Sequence, residues 1–130
     1  MERDRGIITR YFEYKIKRET YKIEAKDIIY VESNRRKLNL HLTDGRKIEF
    51  YGKLNDAYKE QLKGIGFVRI HASYAVNYSH ISAIKYAHVV LPCGKTLPIS
   101  KSWWREVRRK LRQNATFAPS GKAGNVAIFI

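Results

Sequence analysis

The dipeptide Asp44-Gly45 stands between two runs of alternating apolar and polar residues, and it restricts the fold more than any other feature. The runs cover residues 37–42 and 46–51, and each places its apolar side chains on one face. Asp-Gly readily adopts the positive φ angles of a two-residue hairpin turn, so the pattern predicts two antiparallel strands with one buried face. The inward positions are Leu38, Leu40, Leu42, Ile48 and Phe50.

Other short segments have the same β character, with β-branched and aromatic residues bounded by polar, Gly or Pro turns. Two segments have helical spacing instead: residues 54–62, which Gly64 ends, and residues 103 to about 112, which Ser100 or Ser102 is expected to cap. The predicted fold class is therefore mostly β with two short helices. The further predicted strands are 11–17, 21–23, 28–31, 67–71, 74–77, 81–86, 89–91 and 96–99.

Composition divides the chain into three parts. Residues 1–10 are predicted to be a leader, residues 11–112 one domain, and residues 113–130 a flexible tail rich in Ala, Gly, Pro, Ser and Asn. The tail ends in the apolar run Val126–Ile130, for which an added edge strand remains an alternative to a disordered end.

Several classes of protein are excluded by simple features of the chain. Its longest apolar run has five residues, whereas a membrane-spanning helix requires about 18. No apolar core follows the first residues, so no signal peptide is expected. Cys93 is the one cysteine, which excludes an internal disulfide and a metal site built from several cysteines. The chain is therefore expected in the cytoplasm.

The balance of charges indicates an anionic partner. The 130 residues include 26 Lys and Arg against 12 Asp and Glu, a net charge of +14. One basic cluster is Arg35–Lys37, and a second runs from Lys101 to Arg112 with Glu106 as its one acid. One such cluster would equally fit a solvated face, but two clusters and this net charge favour phosphate binding. Nucleic acid is the first candidate and a membrane surface the second.

Motifs of catalytic chemistry are weak. Gly94-Lys95-Thr96 resembles the end of a phosphate-binding P-loop, but Val89 stands where that loop requires glycine. The four histidines lack metal-ligand spacing, and no Gly-x-Ser-x-Gly nucleophile elbow is present. We therefore expect a protein that is not an enzyme and uses no metal or cofactor. An enzyme that uses His71 with Ser73 in a concave pocket is kept as a rival.

Five segments, in order over about residues 10–112, resemble the LytTR DNA-binding domain, the output module of many bacterial response regulators of two-component systems. The most specific is Phe-Val-Arg-Ile-His-Ala-Ser-Tyr-Ala-Val-Asn, which resembles the family's Phe-x-Arg-x-His-x-Ser-aromatic-x-Val-Asn. The matching segments are Asp27–Ser33, the hairpin at Asp44-Gly45, the helix start at Leu54, Phe67–Asn77 and Leu97–Lys101.

The resemblance implies an elongated sandwich of small antiparallel sheets with two short helices at the side. It also implies a transcription regulator that binds double-stranded DNA sequence-specifically, by inserting loops into successive major grooves without a recognition helix. In this family two copies bind paired direct repeats about one helical turn apart. A receiver domain or a membrane protein is the usual source of input, and whether this chain is a standalone regulator or a fragment remains open.

The resemblance further implies three groups of DNA contacts: the turn after the Glu-Ser strand, the Arg-x-His-x-Ser segment, and the start of the last helix. The corresponding residues are Asn34, Arg35, Arg36 and Lys37; Arg69, His71, Ala72 and Ser73; and Ser100 and Lys101. An arginine in a short turn can bond guanine O6 and N7 bidentately, and serine hydroxyls suit phosphates. Additional non-specific attraction is expected from Arg105, Arg108 and Arg109.

Two positions depart from the family pattern. Ala72 stands where relatives often carry Asn or Arg, and Lys101 stands where Arg is usual. A methyl group can only pack, and lysine lacks the rigid guanidinium fork, so we expect a different sequence preference with weaker discrimination.

Structural roles compete with functional ones at several residues. His71 is equally compatible with a core histidine bonded to backbone, and Asn77 is expected to cap a turn. The other residues expected to pack are Tyr30, Tyr51, Trp103 and Trp104. The tyrosines interleaved with Lys and Arg also allow a small RNA-binding protein, which would carry aromatic side chains on an exposed sheet face.

Overall fold

The structure is a computed structural model and describes residues 9–115 and 128–129. Its strands are β1 (Tyr11–Ile16), β2 (Glu19–Glu24), β3 (Ile28–Asn34), β4 (Lys37–Leu42), β5 (Lys47–Tyr51), β6 (Phe67–His71), β7 (Tyr74–Asn77), β8 (Ala83–Lys85), β9 (His88–Val90), β10 (Thr96–Pro98) and β11 (Ile128–Phe129). The helices are α1 (Leu54–Glu60) and α2 (Lys101–Ala115), with 3-10 turns at Ala25–Asp27, Leu62–Ile65 and Tyr78–His80.

The central sheet has five strands in the order β5-β4-β3-β7-β6, and all neighbours are antiparallel. The hairpin predicted at Asp44-Gly45 is confirmed as β4–β5, with Leu40 opposite Ile48. Gly45 has a φ of 91°, and the Leu42 N–H donates to the Arg46 carbonyl at 3.0 Å. The loop therefore has three residues, Thr43–Gly45, with only Gly45 in the left-handed region, instead of a two-residue turn with two positive φ angles.

Apolar layers cover one face of the central sheet and the part of the other face formed by β3, β7 and β6. One face packs against β1 and α1 through side chains such as Phe12, Leu40 and Leu54. The other packs against α2 and the smaller sheet β10-β9-β8-β11 through side chains such as Ile70, Val89 and Val107. Each such buried aliphatic or aromatic side chain contributes roughly 1.5–3 kcal/mol relative to exposure. Two apolar layers therefore pack against the central sheet, and the outward face of β4 and β5 lies outside the second layer.

The mostly-β fold class with several small antiparallel sheets and two helices is confirmed, with shifts at element ends. β8 begins at Ala83 because residues 78–80 form a 3-10 turn. Helix α2 continues to Ala115, three residues beyond the predicted end. The N–H of Trp103 donates to the carbonyl of Ser100 at 3.0 Å, so Ser100 begins the helix through its backbone.

The predicted leader and flexible tail lie mostly outside the described residues. In the part of the tail that the structure describes, β11 pairs in parallel with β8, with Ile128 opposite Ile84. No helix in residues 9–115 is both long and apolar enough to cross a bilayer.

Candidate nucleic-acid interface

Two of the three predicted contact segments are turns at the same end of the strands of the central sheet. Because the strands alternate in direction, the β3–β4 turn and the β6–β7 turn emerge together. The Ser33 N–H donates to the Ser73 carbonyl at 2.8 Å and joins them. We call residues Asn34–Lys37 the first turn and residues His71–Tyr74 the second turn.

The third segment lies next to the second turn. The N–H of Ser100 donates to the carbonyl of Ile70 at 2.9 Å, so the end of β10 runs beside the end of β6. Lys101 follows as the exposed first residue of α2. The first turn, the second turn and residues 99–101 thus form one row, which we call the turn edge.

The first turn projects two arginines. Asn34 pairs with Lys37, which leaves Arg35 and Arg36 as the loop residues. Arg35 has a φ of 63° in a position where hairpin turns favour glycine, and the Gly52 N–H donates to the Arg36 carbonyl at 3.0 Å. Both side chains are exposed, so their guanidinium groups are available to an anion.

Lys37 and Tyr51 flank the first turn on the outward face of β4 and β5. The Lys37 ammonium lies 3.6 Å from a Glu49 carboxylate oxygen and 5.2 Å from the Tyr51 ring centre. Tyr51 is 74% exposed, so the prediction that it packs is wrong. Strand alternation explains the difference, because Phe50 takes the inward position and Tyr51 the outward one. That alternation was the sequence signal for an exposed aromatic beside the first turn.

Side chains on β3 and β4 stiffen the strands below the first turn. The Glu32 carboxylate lies 2.9 Å from His41 Nε2, and the His41 ring stacks on Tyr30 with centroids 4.1 Å apart. Tyr30 is buried, as predicted, and burial raises the pKa of its phenol to about 12. This phenol therefore stays neutral at physiological pH.

Arg69 supports the second turn from inside the protein. It is only 4% exposed, and its guanidinium donates to the carbonyls of His71 and Ala72 at 2.8 Å each and to Asn55 Oδ1 at 2.9 Å. The group also lies 4.7 Å from the Trp103 ring centre, and desolvation lowers the pKa of Arg69. The expected direct contact of Arg69 with DNA is therefore corrected to a positioning role. Asn55, which the sequence analysis missed, takes part through α1.

The second turn presents small groups. His71 Nδ1 accepts the Ser73 N–H at 3.0 Å, so in the neutral ring the proton resides on Nε2. His71 is hydrogen-bonded to the backbone, as expected for a core histidine, but its side chain is only half-buried. Ala72 is exposed at the tip, and Ser73 is half-buried. The position of Ala72 leaves a methyl group where the turn projects furthest.

At the start of α2 the two predicted residues differ in accessibility. Ser100 Oγ is buried and has no hydrogen-bond partner within the described residues, so the free protein does not present this hydroxyl to a phosphate. Lys101 is exposed. Asn77 caps the 3-10 turn as predicted, since its Oδ1 accepts the Ser79 N–H at 3.1 Å.

Helix α2 carries the remaining basic residues. Arg105 is exposed, whereas Arg109 donates to a Glu106 carboxylate oxygen at 2.7 Å. The Arg108 guanidinium lies 5.7 Å from the ring centre of Trp104, which packs against the buried side chains between α2 and the central sheet while remaining half-exposed. The three arginines are thus unequally available to an anion.

A long stretch without carboxylates supplies most of the turn edge. No Asp or Glu occurs in residues 61–105, which include the second turn and the junction before α2. This signal was available in the sequence. Phosphates approaching this part of the edge meet no carboxylate contributed by residues 61–105, which favours anion binding there.

Within the described part of the central sheet, Tyr51 on the outward face of β5 is the one exposed aromatic side chain, whereas the RNA-binding rival predicted several on an exposed sheet face. Among the residues whose burial is described, the most exposed aromatic side chains are those of Tyr51, at the end of a strand, and Tyr86, in a turn.

Comparison with known proteins gives a consistent result. A model of the LytTr DNA-binding domain family matches residues 18–112. Among solved structures, the LytTr DNA-binding domain of a methyl-accepting/DNA response regulator from Bacillus cereus superposes with a TM-score of 0.64. The two chains are 20% identical over 78% of this chain and 96% of that chain, so the superposition shows a shared fold. No curated protein matches the chain significantly.

Proposed function

The chain belongs to the LytTR family of DNA-binding domains, the output domains of response regulators, and from this premise we propose that it reads duplex DNA sequence-specifically through its turn edge. One observation carries the proposal: segments near residues 35, 72 and 101, far apart in sequence, form one row at one end of the central sheet. A contact surface built this way needs no recognition helix.

The order of the row suggests how it meets the duplex. Neighbouring strands are about 4.8 Å apart, so the centres of the two turns are separated by roughly 10 Å. The first turn and Lys101 lie at opposite ends of the row, and the family resemblance assigns them to successive major grooves. A two-residue hairpin tip is narrow compared with a major groove about 12 Å wide. The second turn then lies between the two insertions.

Each exposed residue receives a role from its chemistry. Arg35 and Arg36 bond guanine edges, and Lys101 reaches a base edge or phosphate at the far end. Ala72 offers only a methyl group for packing against thymine. The residues expected to attract or position the DNA backbone are Asn34, Lys37, His71, Ser73, Arg105, Arg108 and Arg109.

The proposal includes a second copy on an adjacent direct repeat, about one helical turn away on the same face of the duplex. It also includes input from a receiver domain or a membrane protein, and action in the cytoplasm. Family membership supports these parts.

The test is selection of the purified protein on randomised duplex DNA near physiological salt, with single-stranded RNA as competitor. The proposal expects an enriched motif that recurs as a direct repeat. Absence of any enriched duplex motif, with the RNA retained instead, would overturn the proposal in favour of the RNA-binding rival.

A further inference from the structure

The turn between β8 and β9 has an unusual backbone. Lys85 pairs with His88, which leaves Tyr86 and Ala87 as a two-residue loop with φ angles of 48° and 62°. Two consecutive positive φ values define a type I′ turn, for which Asn-Gly is the favoured pair. A tyrosine and an alanine are strained there, and strain of this kind concentrates at functional sites.

The Tyr86 side chain has little contact with the protein. It is 82% exposed, the highest value among the large apolar and aromatic side chains of the described residues. Packing therefore does not explain why a bulky aromatic residue occupies this strained position. The His88 Nδ1 lies 2.8 Å from the Tyr86 carbonyl, which must accept the hydrogen bond, and this contact fixes the turn.

The strained turn lies at the end of the turn edge. The N–H of Ile99 donates to the carbonyl of Ala87 at 2.9 Å, and Pro98 pairs with His88. Ile99 leads directly into Lys101, so the row of first turn, second turn and residues 99–101 continues into Tyr86 and Ala87.

The chemistry around this turn suits the DNA backbone. The turn lies within residues 61–105, which contain no carboxylate, and Lys85 and His88 flank it. A tyrosine hydroxyl donates to phosphate oxygens, and the ring can pack against a deoxyribose. Tyrosine has only two side-chain torsions, so fixing its phenol against the DNA backbone costs less conformational entropy than fixing a lysine or an arginine.

We propose that the Tyr86-Ala87 turn is a fourth DNA-contacting element, in which the Tyr86 phenol binds the sugar–phosphate backbone beyond the position reached by Lys101. The inference rests on the proposed function, since it places the same duplex on the same edge. It adds a contact that positions the protein without reading sequence.

The decisive variant is Tyr86→Asn with Ala87→Gly, because it replaces the turn by the favoured type I′ pair. Relief of strain is expected to raise Tm by about 3–6 °C. Affinity for duplex DNA is expected to fall about three- to tenfold, the size of one hydrogen bond. A more stable protein that binds more weakly cannot be explained by misfolding. Tyr86→Phe separates the hydroxyl from the ring and should give part of the loss.

Tyr11→Asn is the matched control. Tyr11 is 43% exposed and follows Arg10, whose carbonyl accepts the Ala25 N–H at 2.8 Å, at the opposite end of the central sheet. This variant should bind DNA like the parent protein.

Affinity is measured on the selected duplex and on an unselected duplex of equal length, together with hydroxyl-radical footprinting. The inference expects weaker binding to both duplexes and loss of protection at one flank of the footprint. Unchanged affinity and an unchanged footprint in the double variant would overturn it. Because the contact is to backbone, loss on the unselected duplex supports it even if the selection yields no motif, which would contradict the proposed function alone.

Discussion

The first and second turns emerge from one edge of one sheet, yet they are built in opposite ways. The first turn extends two arginine side chains into solvent, and its Arg36 carbonyl accepts a hydrogen bond from Gly52, the residue directly after β5. The second turn keeps its arginine, Arg69, beneath the surface and exposes the methyl of Ala72. The comparison shows two roles for an arginine in these segments. It either extends into solvent, where it can contact a ligand, or lies buried and holds the backbone of the turn in place.

The largest effect on this contrast is expected from a substitution that removes the buried arginine, Arg69. Arg69→Ala removes the charged donor from the part-buried carbonyls of His71 and Ala72 and from Asn55 Oδ1, and a hydrogen bond to a charged group contributes about 1.5–3 kcal/mol. We expect the free energy of unfolding to fall by about 2–4 kcal/mol and DNA binding to fall with it. Urea denaturation and a binding titration check both results.

Arg69→Lys distinguishes charge from geometry. Lysine keeps the charge but lacks the planar fork that bonds two carbonyls and Asn55 together. We expect most of the stability loss to persist. Wild-type stability in Arg69→Ala would contradict the supporting role.

Arg36→Ala tests the exposed partner in the comparison. Its guanidinium is in solvent, so stability should change by no more than about 0.5 kcal/mol. DNA binding should weaken by about 1–3 kcal/mol, and base preference should relax at one position. Repeated selection with the variant measures this relaxation. Equal weakening on all sequences would show that the first turn contacts phosphates only.

Ala72→Asn sharpens the comparison by giving the second turn a side chain that can read a base. Asparagine can bond adenine bidentately, and a good pair of this kind discriminates by roughly 1–3 kcal/mol. Because Ala72 is exposed, stability should be unaffected. We expect a new preference at one base of the selected motif, toward the lower end of that range. An unchanged motif would place Ala72 out of reach of the bases.

The contrast between the exposed Arg36 and the buried Arg69 shows which features the sequence predicts and which it does not. Alternation correctly placed Leu38, Leu40 and Leu42 in the core, because a two-residue period decides which face is inward. The burial of Arg69 depends on Asn55 and Trp103, which two separate helices bring to it, and no local pattern contains that information.

Sequence patterns also failed to predict one of the tight turns. The strained Tyr86-Ala87 loop has none of the residues that normally indicate a type I′ turn. Tyr51, in contrast, was predictable, since the alternation that buried Phe50 also turned Tyr51 outward. The assembly of three distant segments into one row follows from the strand order of the central sheet, which no local pattern contains. The family resemblance implied only that these three segments contact DNA.

The smallest effect concerns the helix behind the turns. Arg105 is exposed, whereas the ion pair at 2.7 Å with Glu106 partly satisfies Arg109. We expect Arg105→Ala to weaken binding to all duplexes about equally and to lower the magnitude of the salt slope by about one. Arg109→Ala should lower it by less, because the Glu106 carboxylate already offsets part of that charge. Titrations at several salt concentrations decide the order, and a larger effect at Arg109 would mean that the ion pair opens when DNA binds.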